Sequence, residues 1–317
     1  MRRVKAFSHF TGLFFWKSLH FHRCVILACC KCRRRECGHC DNGEIGALRS
    51  FGFLQITLAF GPSIYERILA MIVQTVYVAI PTDATAMRTF VAAPHAEGRF
   101  PAIWCYSDIF QLTGPMLRAC MRLAGYGFVV AAPEIYHRIE PPGIAIPFDD
   151  AGRTRGLENA AKTPVADFDR SCRVGLDWLA AHPKVVPGKL GAMGFCIGGH
   201  LAFRAALQPD VGATVCFYGT GIHNGKLGKD SDAGSLAQAS RIRGELLMIF
   251  GANDPHIPSE GRETVERGLR AANVNYSTKL YPAEHAFMRD EGPRFDPEST
   301  DLAFADMIQL FRKVFSA

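Results

Sequence analysis

The sequence of 317 residues contains no uncharged apolar run of about 18 residues, no internal repeat and no low-complexity stretch. A spanning helix and a repeat array are therefore excluded as readings. A chain-wide basic excess is also missing, although the formal net charge is +6. Residues 1–50 hold 10 Lys and Arg against 3 Asp and Glu, which leaves 26 against 27 in residues 51–317. Outside the cluster Arg33, Arg34 and Arg35 there is no electrostatic footprint for nucleic acid. A cysteine framework is lacking too. Of eleven cysteines, six crowd residues 24–40, and the other five, Cys105, Cys120, Cys172, Cys196 and Cys216, are odd in number and unpatterned. That distribution suits a reduced cytoplasmic enzyme better than a disulfide scaffold. At 48% hydrophobic residues, the chain is neither disordered as a whole nor fibrous.

Residues 1–70 form an irregular, basic, Cys-rich extension without a clear helical or strand period. Three readings stay open. Met1-Arg-Arg-Val-Lys5 followed by apolar Phe10 to Trp16 suggests a targeting peptide, although Lys17, His20, His22 and Arg23 interrupt it. Cys37-Gly-His-Cys40 has the spacing of half a zinc site but lacks a second pair at the usual distance. The third is a disordered segment, or one upstream of the true start, with Met71 as the natural first residue.

Patterning begins at Val73. Val73 to Ile80 alternates and is rich in β-branched residues, and a turn at Pro81 to Asp83 leads into Arg88 to Ala92, which reads as a hairpin. Strands are then expected at Pro101–Tyr106, Phe128–Ala132, Lys189–Met193, Ala213–Phe217, Glu245–Phe250 and Tyr276–Tyr281. Helical spacing marks Pro115–Ala124, Val165–Ala181, Gly199–Leu207, Glu260–Ala272 and Thr300–Phe315. Alternation of this kind predicts an α/β domain over residues 71–317, a mostly parallel sheet with helices on both faces. Glu134 to Thr163, rich in Pro, Gly and charge, reads as an irregular insertion.

Gly194-Phe-Cys196-Ile-Gly198-Gly199 lies where a strand gives way to a helix. A nucleophile elbow needs small residues two before and two after the nucleophile, and Gly194 and Gly198 supply them. Cys196 then stands at a helix N-terminus, which favours a thiolate. A glycine-rich turn around a buried structural cysteine would look the same, so its partners decide. Asp254 follows the strand Glu245–Phe250, and His285 follows Tyr276–Tyr281. The order Cys196, Asp254, His285 is that of α/β-hydrolase triads. His256 and Glu284 are near competitors, whereas His137, His182, His200 and His223 have no such placement.

The motifs Gly194-x-Cys196-x-Gly198-Gly199, Gly251-x-x-Asp254 and Glu284-His285-x-Phe287-x-Arg289, with Pro101–Ala124 leading into Phe128 to Tyr136, resemble the dienelactone hydrolases (carboxymethylenebutenolidases) over residues 72–317. The resemblance implies an α/β-hydrolase fold, the triad Cys196, Asp254 and His285, and Arg289 as a ligand for a substrate carboxylate. Arg153 or Arg155 would be a second such arginine. In the family a glutamate in Glu-Ile-Phe pairs with the resting thiol, and here Asp108-Ile109-Phe110 stands in its place. An aspartate there is shorter by about 1.5 Å, one C–C bond.

The expected chemistry is acyl transfer to water: a Cys196 thiolate attacks the carbonyl, and the backbone N–H groups of Ile197 and Ile109 hold the oxyanion. The implied substrate is a small lactone or ester carrying a carboxylate, with no metal or organic cofactor called for and no nucleic-acid or membrane partner. The alternatives are a broader carboxylesterase or thioesterase, and a non-catalytic binding member of the fold. The sequence leaves the oligomeric state open.

Overall fold

The computed structural model describes residues 72–316. The readings placed on residues 1–70, including Cys37, Cys40 and the Arg33 to Arg35 cluster, lie outside the described residues, as does Met71. β1 (Val73–Ile80) and β2 (Met87–Pro94) form the expected antiparallel hairpin, with Val76 opposite Val91. The remaining strands are β3 (Phe100–Tyr106), β4 (Val129–Pro133), β5 (Val185–Phe195), β6 (Val211–Phe217), β7 (Glu245–Gly251) and β8 (Tyr276–Tyr281). They join one eight-stranded sheet in the order β1-β2-β4-β3-β5-β6-β7-β8. β2 meets β4 antiparallel, and from β4 to β8 every pairing is parallel. In β4 all residues are buried, and in β7 all after the first, without alternation. Both faces of the central strands are therefore covered, as a parallel sheet requires.

The covering helices are α1 (Gly114–Ala124), α2 (Asp150–Lys162), α3 (Val165–Ala181), α4 (Ile197–Ala205), α5 (Ser259–Ala271) and α6 (Pro297–Phe315), with a 3-10 turn at Leu236–Arg241. Close packing shows at Gly175 of α3, where an added Cβ would lie 2.2 Å from the ring of Trp104 in β3. No helix among the described residues is long and apolar enough to cross a membrane.

One expectation needs correction. The supposed irregular insertion holds a regular helix, α2, capped by the Asp149 carboxylate, which accepts from the Gly152 N–H at 2.6 Å. Its two glycines and many polar residues hide the helical period, and both glycines are demanded by contact. A Cβ at Gly152 would sit 2.0 Å from the Pro147 carbonyl oxygen, and one at Gly156 would sit 2.6 Å from that of Ile109. Through Gly156, α2 is clamped onto the loop that follows β3.

Candidate active site

Because β3 to β8 run parallel, the loops after β3, β5, β6, β7 and β8 leave the same edge of the sheet, where open α/β sheets bind ligands. A cleft of about 630 Å³ opens there, lined by Cys196, Ile197, Ile109, His285 and Arg289 among others.

Cys196 separates β5 from α4 in a left-handed conformation, φ 59° and ψ −121°. For a non-glycine residue this backbone costs about 1–3 kcal/mol, and it persists only where the surroundings enforce it. Here they do. A Cβ at Gly194 would approach the Gly198 carbonyl oxygen to 2.0 Å, and one at Gly198 would approach that of Ser107 to 2.2 Å. The Cys196 N–H donates to the Phe217 carbonyl at 3.1 Å, which ties the elbow to β6. Cys105, Cys120, Cys172 and Cys216 are buried, and Cys196 is half-buried.

Asp254 and His285 arrive from the loops after β7 and β8. The Asp254 Oδ2 lies 2.7 Å from the His285 Nδ1, and its Oδ1 accepts from the His256 N–H at 2.8 Å. Both side chains are buried, at 0% and 6% exposure. Burial alone would lower the His285 pKa. The negative charge of Cys196, the hydrogen bond to Asp254 and a hydrogen bond with Cys196 outweigh burial and raise it to about 9. The rings of Tyr218 and His256 pack edge-on against His285, with centroids 5.2 and 4.7 Å away.

The Ile197 N–H heads α4, where no intrahelical partner exists. Asp108 is engaged with groups other than the thiol. Its Oδ2 accepts from Arg289 Nη2 at 2.5 Å, and its Oδ1 from the Phe110 N–H at 2.9 Å. The Arg289 guanidinium also lies over the rings of Phe110 and Phe148, 4.9 and 4.4 Å from their centroids.

Arg155 requires correction as a substrate ligand. Its guanidinium binds the buried Glu140 carboxylate, with Nε donating at 2.8 Å, and it does not line the cleft. Arg153 lines it instead. Two residues apart on a helix point to nearly opposite sides, so only one of the pair can face the site. His137 and His200 are structural: His137 contacts Thr85 and Ser171, and His200 contacts the Thr220 carbonyl and Ser235. His223, expected to stand apart from the site, lines the cleft, as does the competitor His256. The position of His223 beyond the carboxyl end of β6 is the one sequence signal that could have found it.

Residues 87–315 match the model of the Dienelactone hydrolase family. A Saccharomyces cerevisiae protein named "Putative carboxymethylenebutenolidase" is 34% identical over 77% of this chain and 92% of its own length. A Pseudomonas protein named "Carboxymethylenebutenolidase" is 27% identical over 69% of this chain and 87% of its own. Among solved structures, a Klebsiella pneumoniae "Putative Dienelactone Hydrolase" superposes with a TM-score of 0.69 at 27% identity, covering 76% of this chain and 99% of that one.

Proposed function

Since the chain belongs to the dienelactone hydrolase family, we propose that this hydrolase cleaves a small lactone or carboxylic ester through a thioester on Cys196. The observation that carries the reading is the buried chain from Asp254 through His285 to a half-buried cysteine on a strained strand-to-helix turn. In the first step the thiolate adds to the carbonyl carbon, and the oxyanion that forms is held by the N–H groups of Ile197 and Ile109. His285 Nε2 then gives its proton to the departing oxygen, while Asp254 keeps Nδ1–H in place. In the second step His285 takes a proton from water, the hydroxide attacks the thioester, and the acid leaves with the thiol restored. Arg289, oriented by Asp108, Phe110 and Phe148, would receive a substrate carboxylate, with Arg153 as a second cation lining the cleft.

A second reading, a broader carboxylesterase or thioesterase, is favoured by one contact. Asp108 already neutralises Arg289, so a substrate carboxylate must compete for it, whereas a neutral ester need not. Assaying the purified protein with dienelactone beside p-nitrophenyl acetate, with Cys196→Ala as control, separates the readings. A preference for dienelactone supports the first, and a preference for the neutral ester supports the second. Undiminished turnover by Cys196→Ala refutes both.

A further inference from the structure

The loops after β6 and β7 supply one wall of the cleft, to which His223, Asn224 and His256 contribute. Neither histidine ring is tied to the protein in the way that His137 and His200 are. The Nδ1 of His223 is buried without a hydrogen-bond partner, and the polar contact of His256 is made by its backbone N–H to Asp254, not by its ring. A buried N–H without an acceptor costs more than an unused lone pair. That asymmetry selects the tautomer of His223 with its proton on Nε2, the ring's remaining polar atom, on a residue that lines the cleft. Asn224 adds a donor, because its Oδ1 is taken by the Lys226 N–H at 3.1 Å and its Nδ2 is left over.

The position of this wall relative to the triad identifies what would meet it. The group that departs is the one beside the general acid, and His256 is packed edge-on against His285 at 4.7 Å. Arg289, Phe110 and Phe148 stand by the loop after β3 and border the acyl portion instead. Burial disfavours charging of both His223 and His256. His256 therefore offers one donor and one acceptor, the same complement as an alcohol hydroxyl, and His223, its Nδ1 buried, offers the Nε2–H donor.

Resting on the hydrolase reading above, we propose that His223, His256 and Asn224 form a leaving-group subsite that takes a hydroxylated alcohol, so that open-chain polyol esters are substrates of the same Cys196 centre. The test compares 1-glyceryl acetate with 1-propyl acetate, which share an acyl group and differ only in two hydroxyls. The wild type should show a higher kcat/KM for the glyceryl ester. His223→Phe and His256→Phe keep a ring and remove its nitrogens, and each should lower the glyceryl-to-propyl ratio by about three- to tenfold, the worth of one hydrogen bond to substrate. Taking the ratio cancels any disturbance that His256→Phe transmits to His285. His223→Phe also deletes a buried polar atom that has no partner, so its fold should survive, and His223→Gln, which restores a side-chain N–H donor, should return the ratio toward wild type. A wild type that turns over both esters without preference overturns the subsite alone, and so does a ratio unmoved by either Phe variant. A wild type that hydrolyses neither of these esters nor the lactone overturns the hydrolase reading and the subsite with it.

Discussion

Asp254→Asn is the perturbation whose outcome the geometry specifies most closely. The two carboxylate oxygens have separate duties, Oδ2 toward His285 Nδ1 at 2.7 Å and Oδ1 toward the His256 N–H at 2.8 Å. An asparagine must keep its single oxygen on one of them. Facing the His256 N–H, it turns its NH2 toward Nδ1, which then has to be the acceptor, and the imidazole proton moves to Nε2. In that tautomer His285 cannot take a proton from the Cys196 thiol or from water. Facing Nδ1 instead, it leaves the backbone donor of His256 against an NH2. Loss of one charge-assisted hydrogen bond of about 1.5–3 kcal/mol alone lowers kcat/KM by about ten- to two-hundredfold. Inversion of the tautomer extends the loss toward about 10⁴-fold. The assay is p-nitrophenyl acetate hydrolysis, run beside thermal unfolding to show that the variant is folded. A folded Asp254→Asn within about threefold of wild type would refute the assignment of Asp254 as the partner that orients His285.

The raised pKa of His285 makes the imidazolium present at neutral pH and lost as pH rises through about 9. In Cys196→Ala the charge and hydrogen bond of Cys196 are gone while burial remains, so NMR titration of the ring should give a lower pKa than in wild type; an unchanged or higher value contradicts the coupling. Because the folded value lies above the ordinary 6.5, the stability contributed by the charged ring is full below about 6.5 and disappears as pH rises through about 9, which pH-dependent unfolding would register. Gly198→Ala places a Cβ 2.2 Å from the Ser107 carbonyl oxygen, a backbone atom that cannot swing aside, so the elbow must open. Activity should fall by at least a hundredfold, with the melting temperature reduced, and wild-type kinetics in this variant would show that the turn is not under the constraint described. Iodoacetamide should modify Cys196 before any other cysteine of the described residues, because Cys105, Cys120, Cys172 and Cys216 are buried and burial raises the Cys172 thiol to about 12. Peptide mapping that finds one of those four labelled first would count against it.

Much of the fold was legible because consecutive burial leaves a strong trace. β4 and β7, buried almost throughout, lie within a residue of where the pattern puts them, and β1 with its β-branched run, β8 and α3 have the suggested bounds although the two edge strands are largely exposed. α2 escaped because its glycines serve close contact, Gly152 with the segment leading into the helix and Gly156 with the loop after β3, so the residues that hold it in place are also those that erase its helical period. The same unread helix explains why the sequence could not decide between Arg153 and Arg155. Without a helix there are no faces, and Glu140, which claims Arg155, lies 15 residues away in sequence. The elbow, Asp254 and His285 could be placed from sequence because each follows a strand with a compact motif. His223 was harder to single out, since its place beyond the carboxyl end of β6 is shared with its neighbours in the segment before the 3-10 turn. The Asp108 to Arg289 contact could not be placed, since it joins two loops 181 residues apart.

Everything proposed for the cleft depends on a thioester forming on Cys196. Rapid acid quench of the protein during p-nitrophenyl acetate turnover, followed by mass spectrometry of its peptides, tests it most directly. One acetyl group is expected on the peptide carrying Cys196, removable by hydroxylamine and absent in Cys196→Ala. Acetyl found on a different residue at the rate of turnover, or steady turnover by Cys196→Ala, would contradict it.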